Sequence, residues 1–151
     1  MNPTVVALFA CKSSRAALDT LTRAEAVEQT GIAGDRHANR GSHRQVLLME
    51  AEVLERFGLA PGDVREQVTV RGLGLAGLAA GTRLLVGEAV LEVAGPCDPC
   101  ERMNEVRPGL MSALVGQRGR FVRVLRGGAF SVGDALLVEP PVPAEHPGPG
   151  R

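Results

Sequence analysis

The 151-residue chain contains no tryptophan and no tyrosine, and aromatic residues make up 3% of it. Seventeen Lys plus Arg balance 17 Asp plus Glu, leaving a formal charge of zero. A neutral chain without stacking rings has neither the basic surplus nor the aromatic platform of a nucleic-acid binder. No apolar run approaches the ~20 residues of a membrane-spanning helix. The apolar stretch Val5–Ala10 lacks the charged lead and length of a secretory signal, so a cytoplasmic protein is expected. Lysine occurs once, as Lys12, which leaves a single residue for any lysine Schiff base and disfavours pyridoxal-type catalysis. With 3 cysteines and a length that removes roughly 70% of the unfolded surface from water, the fold does not depend on disulfides.

Glycine (19) and proline (10) are plentiful, and they punctuate short apolar runs. Thr4–Ala10, Arg44–Met49, Gln67–Val70, Arg83–Val86, Ala89–Val93, Phe121–Leu125 and Ala135–Val138 read as strands. Gly87-Glu88 reads as a tight hairpin turn, and Gly127-Gly128 and Gly133-Asp134 as further turns. Helical spacing predicts short helices over Glu50–Phe57 and around Leu110–Val115. Many short strands with two or three short helices and no βαβ alternation predict a mainly β, barrel-like fold. Residues 1–139 form one domain in this reading. The stretch 140–151 holds five of the ten prolines and is expected to be a disordered tail.

Gly72, Gly74 and Gly77 spell the dinucleotide-binding G-x-G-x-x-G after a strand. That motif works only if a helix begins at the loop, and Leu78–Gly81 leaves no room for one. Two other segments carry chemistry. In the first, Arg36, His37, Arg40, His43 and Arg44 follow Asp35 with no further acid between them. Guanidinium forks suit phosphate or carboxylate, so the loop is a candidate anion site, with Asp35 placed to orient Arg36 or His37. A solvated surface loop is the competing reading. The second is Gly95–Arg102, where Cys97 and Cys100 form C-x-x-C. Four readings stay open: a zinc half-site completed by His37 and His43, a dithiol pair, two inert cysteines, or one reactive thiolate at Cys100 beside Arg102. Cys11 reads as a buried small residue. Glu66 and Asn104 are weaker candidates for lining a site.

The order of these segments resembles the MOSC domain, the domain shared with the C-terminus of molybdenum cofactor sulfurase. The matching stretches are GIAGDRH (31–37), RQVLLMEAE (44–52), REQVTVRGL (65–73), GTRLLVGEAVLEV (81–93), PCERM (99–103), GLMSALVGQRG (109–119) and RVLRGG (123–128). The resemblance implies a barrel-like fold and a function tied to molybdenum cofactor (molybdopterin) or to sulfur carriage. It assigns the molybdenum-ligand or persulfide role to Cys100, with Cys97 an extra thiol. It places Arg36 and His37 at the pterin phosphate or another anionic small molecule. From the residue reading, Arg44 joins them at the anionic end, and Asp35, Arg40, Arg102 and Asn104 are further candidates for cofactor binding. Glu66-Gln67 departs from the Glu-Asn of similar members, and the longer side chain sets the amide elsewhere. Reduction of N-hydroxylated substrates would need a separate redox partner, and a sulfur carrier would need a transfer partner, since the chain carries no flavin or iron–sulfur signature. A non-catalytic delivery module and a zinc-stabilised β protein are the alternatives.

Overall fold

The computed structural model describes residues 2–13, 16–42, 44–97 and 102–142. Strands β1 (Thr4–Ala10), β2 (Asp19–Leu21), β3 (Arg23–Val27), β4 (Gly31–Ile32) and β5 (Val46–Glu50) lead into helix α1 (Ala51–Arg56). Then come β6 (Val68–Arg71), β7 (Arg83–Val86), β8 (Ala89–Pro96), α2 (Arg102–Val106), α3 (Leu110–Ala113), β9 (Arg120–Arg126), β10 (Gly128–Ser131) and β11 (Leu136–Glu139). Eight strands form one sheet in the order β11-β7-β8-β9-β5-β6-β1-β2, and β10-β3-β4 form a second.

The mainly β class agrees with the sequence reading, with a refinement at closure. The sheets do not close into a barrel. A lone bridge, Thr4 to Ala135, links β1 to the chain just before β11. Backbone bonds from Val5 N to Asp134 O, Gly133 N to Val5 O and Leu136 N to Pro3 O run alongside it. A second refinement concerns βαβ alternation: β5 and β6 pair in parallel with α1 between them, the one such unit among the described residues. The other ladders are antiparallel.

The core explains why β5 reads as an unbroken apolar run. Val46 and Leu48 enter the main cluster with Leu8, Leu84, Leu91 and Phe130. Met49, on the opposite face, joins a second cluster under the helices with Leu54, Val64, Met103, Leu110 and Leu114. A strand covered on both faces needs no polar alternation. The strands β2, β3, β4 and β10 escaped the sequence reading. β2 and β4 are very short, and β3 (RAEAV) buries only alanines, so its alternation is faint. Gly128, read as part of a turn, opens β10, because its partner Ala26 on β3 was not foreseen. The Gly72–Gly77 loop holds only a 3-10 turn at Leu75–Gly77. Of the expected tail, 143–151 lies outside the described residues.

Gly87 joins β7 to β8 with φ +56°, and Glu88 is not among the positive-φ residues, as a type II′ hairpin requires. An added Cβ there would lie 2.8 Å from Phe130 Cβ, against the buried β10. Gly87→Ala should therefore destabilise the protein by about 2–3 kcal/mol in urea unfolding. Gly74→Ala, where nothing lies within 4 Å of the new Cβ, should change stability by less than about 1 kcal/mol.

Candidate functional site

Among the described residues, five arginines converge on one cavity of about 380 Å³. Arg36 reaches it from the loop after β4, Arg44 from just before β5 and Arg65 from just before β6. Arg102 comes from α2 and Arg118 from the turn before β9. His37, Gln67 and Cys97 complete the polar lining, and Leu47, Met103 and Phe121 supply apolar wall. Among the described residues, no carboxylate lines this cavity. The Arg44 guanidinium stacks over the Phe121 ring, 5.5 Å from its centre, which holds the charge at the rim.

The loop carrying Arg36 and His37 is fixed by Asp35, which is buried and receives four hydrogen bonds. Its Oδ1 accepts from Cys11 N at 2.7 Å. Its Oδ2 accepts from His37 N at 2.9 Å, from His37 Nδ1 at 3.2 Å and from Gln67 Nε2 at 3.1 Å. The carboxylate selects the tautomer with Nδ1–H, so Nε2 presents a lone pair toward Arg36 Nη1, 3.4 Å away. Burial alone would raise the Asp35 pKa, but the bonds from His37, Cys11 and Gln67 outweigh it and hold the carboxyl below its ordinary 3.8. Gln67 reaches Asp35 with its amide nitrogen and accepts from Leu47 N with its oxygen at 2.7 Å. The departure from Glu-Asn thus leaves a fully bonded side chain.

Arg65 takes a left-handed backbone (φ +65°), sparsely populated by non-glycine residues. Its guanidinium donates to Ala16 O at 2.9 Å and to Cys11 Sγ at 2.8 Å. Arg118 is different. It is 6% exposed, and Nη2 donates to Val64 O at 2.6 Å, while Nε and Nη1 are buried without a partner. Glu66 is also fully buried. Burial pushes its carboxyl above the ordinary range, against hydrogen bonds from Gly62 N and Thr69 Oγ1 and the attraction of Arg118. Gly119 (φ +109°) separates Arg118 from Arg120, and any Cβ there would collide with the Leu48 carbonyl. The glycine brings this turn against β5, and its own carbonyl accepts from Cys97 N at 3.1 Å.

Of the residues picked from the sequence, Arg36, His37, Arg44, Cys97 and Arg102 line the cavity, and Asp35 supports it from behind. Arg40 is exposed and is not among the lining residues. Asn104 accepts from Met111 N at 3.1 Å, joining α2 to α3. Cys100 and His43 lie outside the described residues, though Cys97 and Arg102, on either side of Cys100, both face the cavity. Among the described residues no three His, Cys, Asp or Glu side chains gather as a metal site, and no helix is long and apolar enough to cross a membrane. Arg65, Arg118 and Gln67 were missed as site residues. They lie inside matched stretches, but nothing local distinguishes them from other polar positions.

A family model for the MOSC domain matches residues 35–137. The chain belongs to the MOSC domain family. The matched span runs from the Asp35 that anchors the cationic loop to the last strand. Solved structures with the same fold include the YuaD protein from Bacillus subtilis, with TM-score 0.78 and 24% identity over 91% of this chain and 96% of that one. YiiM from Geobacillus stearothermophilus gives TM-score 0.73 at 20% identity, covering 91% of this chain and 75% of that one. YiiM from Escherichia coli gives 0.69 at 19%, covering 92% and 71%. No curated protein sequence matches the chain.

The depressed Asp35 pKa makes a pH prediction. As pH falls, the unfolded chain takes up this proton first, so the stability Asp35 contributes is complete above about pH 4 and is lost as pH falls through the folded-state value. Asp35→Asn should cost about 1–3 kcal/mol at pH 7, and the gap from wild type should shrink as urea unfolding is repeated toward pH 3. A constant gap would contradict the assignment.

Proposed function

We propose that this MOSC protein binds the anionic end of molybdenum cofactor in the arginine cavity and uses a cysteine of the Cys97–Cys100 loop as a soft ligand or sulfur carrier. One observation carries the reading: His37 and Cys97, 60 positions apart in sequence, line a single cavity with five guanidiniums and, among the described residues, no carboxylate. The donor set fits such a group. A phosphate needs cationic forks, and Arg118 holds two buried, unpartnered nitrogens beside the cavity. Arg36, Arg65 and Arg118 would grip the anion, with His37 Nε2 accepting from Arg36 and holding that guanidinium in place. Cys100 is the thiolate proposed as molybdenum ligand or persulfide carrier, with Cys97 the lesser candidate; a soft thiolate suits that role. When bound, the cofactor supplies two-electron redox chemistry at molybdenum.

This chain's residues supply binding, orientation and a partly dry wall of Leu47, Met103 and Phe121. Electrons for reduction of an N-hydroxylated substrate would come from a separate redox protein, or sulfur would pass to a transfer partner. The cytoplasm is the compartment in which this chemistry is proposed, and 140–151 is proposed as a tail outside the domain.

Expression in a host that makes molybdenum cofactor, followed by metal and pterin analysis, tests the reading. Wild type should carry molybdenum and pterin together. Cys100→Ser should lose molybdenum and keep its fold by circular dichroism. Arg118→Met should lose both pterin and metal. Tightly held zinc with no molybdenum, or loading unchanged in both variants, would contradict it.

A further inference from the structure

Strands β11, β7, β8 and β9 turn one face to the core and the other to solvent. Leu137, Leu85, Val90 and Leu125 alternate with the buried Leu136, Leu84, Leu91 and Val124, so they point away from the core. Leu137 lies beside Leu85, Leu85 lies beside Val90, and Leu125 stands at the adjoining bulge of β9. The helical cluster takes Met49 from this same side of the sheet but none of these four, and the main core includes none of them. Leu137, on the edge strand, is 52% exposed. One step along the strands, Glu139 lies beside Arg83, Arg83 beside Glu92, and Glu92 beside Arg123. This row crosses the four strands with charges that read minus, plus, minus, plus. None of the four enters a salt bridge among the described residues, and Nε of both Arg83 and Arg123 is buried without a hydrogen bond.

We propose that this face is the interface of a symmetric dimer, covered by a second copy of the chain packed sheet against sheet. The charge row selects that occupant. A row reading minus, plus, minus, plus meets its complement when it is turned end for end. A two-fold axis parallel to the strands, passing between β7 and β8, makes that turn. Glu139 then faces Arg123 of the second copy, Arg83 faces its Glu92, and the reciprocal pairs follow. The same axis sets Leu137 against Leu125 and Leu85 against Val90, an apolar band beside the charged one. The strands stay nearly aligned across the interface, as in sheet-on-sheet packing generally. The dimer also reaches the arginine cavity. One further step in the same register brings Pro141, which packs against Gly81, opposite Phe121 of the second copy. Phe121 is part of the apolar wall of that cavity, so each copy borders the other's rim. The interface does not depend on what the cavity binds.

Sedimentation velocity on the full chain at rising concentration tests the inference, and wild type should sediment as a dimer. Arg83→Glu sets like charges against Glu92 of the second copy, and Glu92→Arg sets like charges against its Arg83. Each variant alone should weaken association about a hundredfold or more. Mixed in equal amounts, the two should sediment as a dimer again, because each carries the charge that the other lacks. Neither strain within one chain nor loss of fold produces that recovery. Leu137→Asp, at an exposed position on the edge strand, should also give a monomer, with its circular dichroism unchanged. A wild type that stays monomeric at every concentration would overturn the interface. So would a dimer that persists in both Arg83→Glu and Leu137→Asp, or a mixture of the two charge variants that stays monomeric.

Discussion

The buried Asp35 carboxylate is the constraint on which the site depends. It takes a hydrogen bond from Cys11, just past β1, another from Gln67, just before β6, and two from His37 in its own loop. β1 and β6 are neighbours in the sheet, so one side chain ties the cationic loop to the end of a strand pair. Arg36 N adds a bond to Cys11 O at 2.7 Å. A loop rich in arginine would otherwise spread its charges into water. Here the backbone beneath Arg36 and His37 is anchored on both sides, and the conformational cost of presenting those groups is met during folding.

Arg118 and Arg120 show how the same residue type is used in two ways. Both are nearly buried and stand on either side of Gly119. Arg120 satisfies three carbonyls and acts as a structural clamp between β9, β8 and the 3-10 turn. Arg118 has a single backbone acceptor and Glu66 as its opposing charge. Burying a charge with so few partners costs several kcal/mol in an ordinary core. Its position at the wall of the arginine cavity gives that cost a purpose, since an anion arriving there meets donors already desolvated and aimed.

Much of this architecture was legible from the sequence, where runs such as Thr4–Ala10 and Ala89–Val93 announce strands by apolar content alone. β3 and β10 were not, because their partners are alanine and glycine and their pairing is settled only by tertiary contact. The helix between β5 and β6 was legible from its spacing, but the parallel pairing of the two strands was hidden, since one such unit among antiparallel ladders is settled by tertiary contact. In the site, charge density marked Arg36, His37 and Arg44, and the glycine-flanked cysteines marked Cys97. Arg65 and Arg118 were invisible. Each is an isolated arginine whose role arises from long-range geometry: Arg65 contacts Cys11, and Arg118 contacts Val64, each 54 positions away.

The central claim is that Arg118 and its neighbours form a preorganised anion site. Anomalous diffraction from crystals grown in selenate measures this most directly. The account predicts a selenium peak inside the cavity within hydrogen-bonding distance of Arg118 Nη1, with Arg36 or Arg65 on its other side. Peaks confined to exposed arginines such as Arg40, with the cavity vacant, would contradict it.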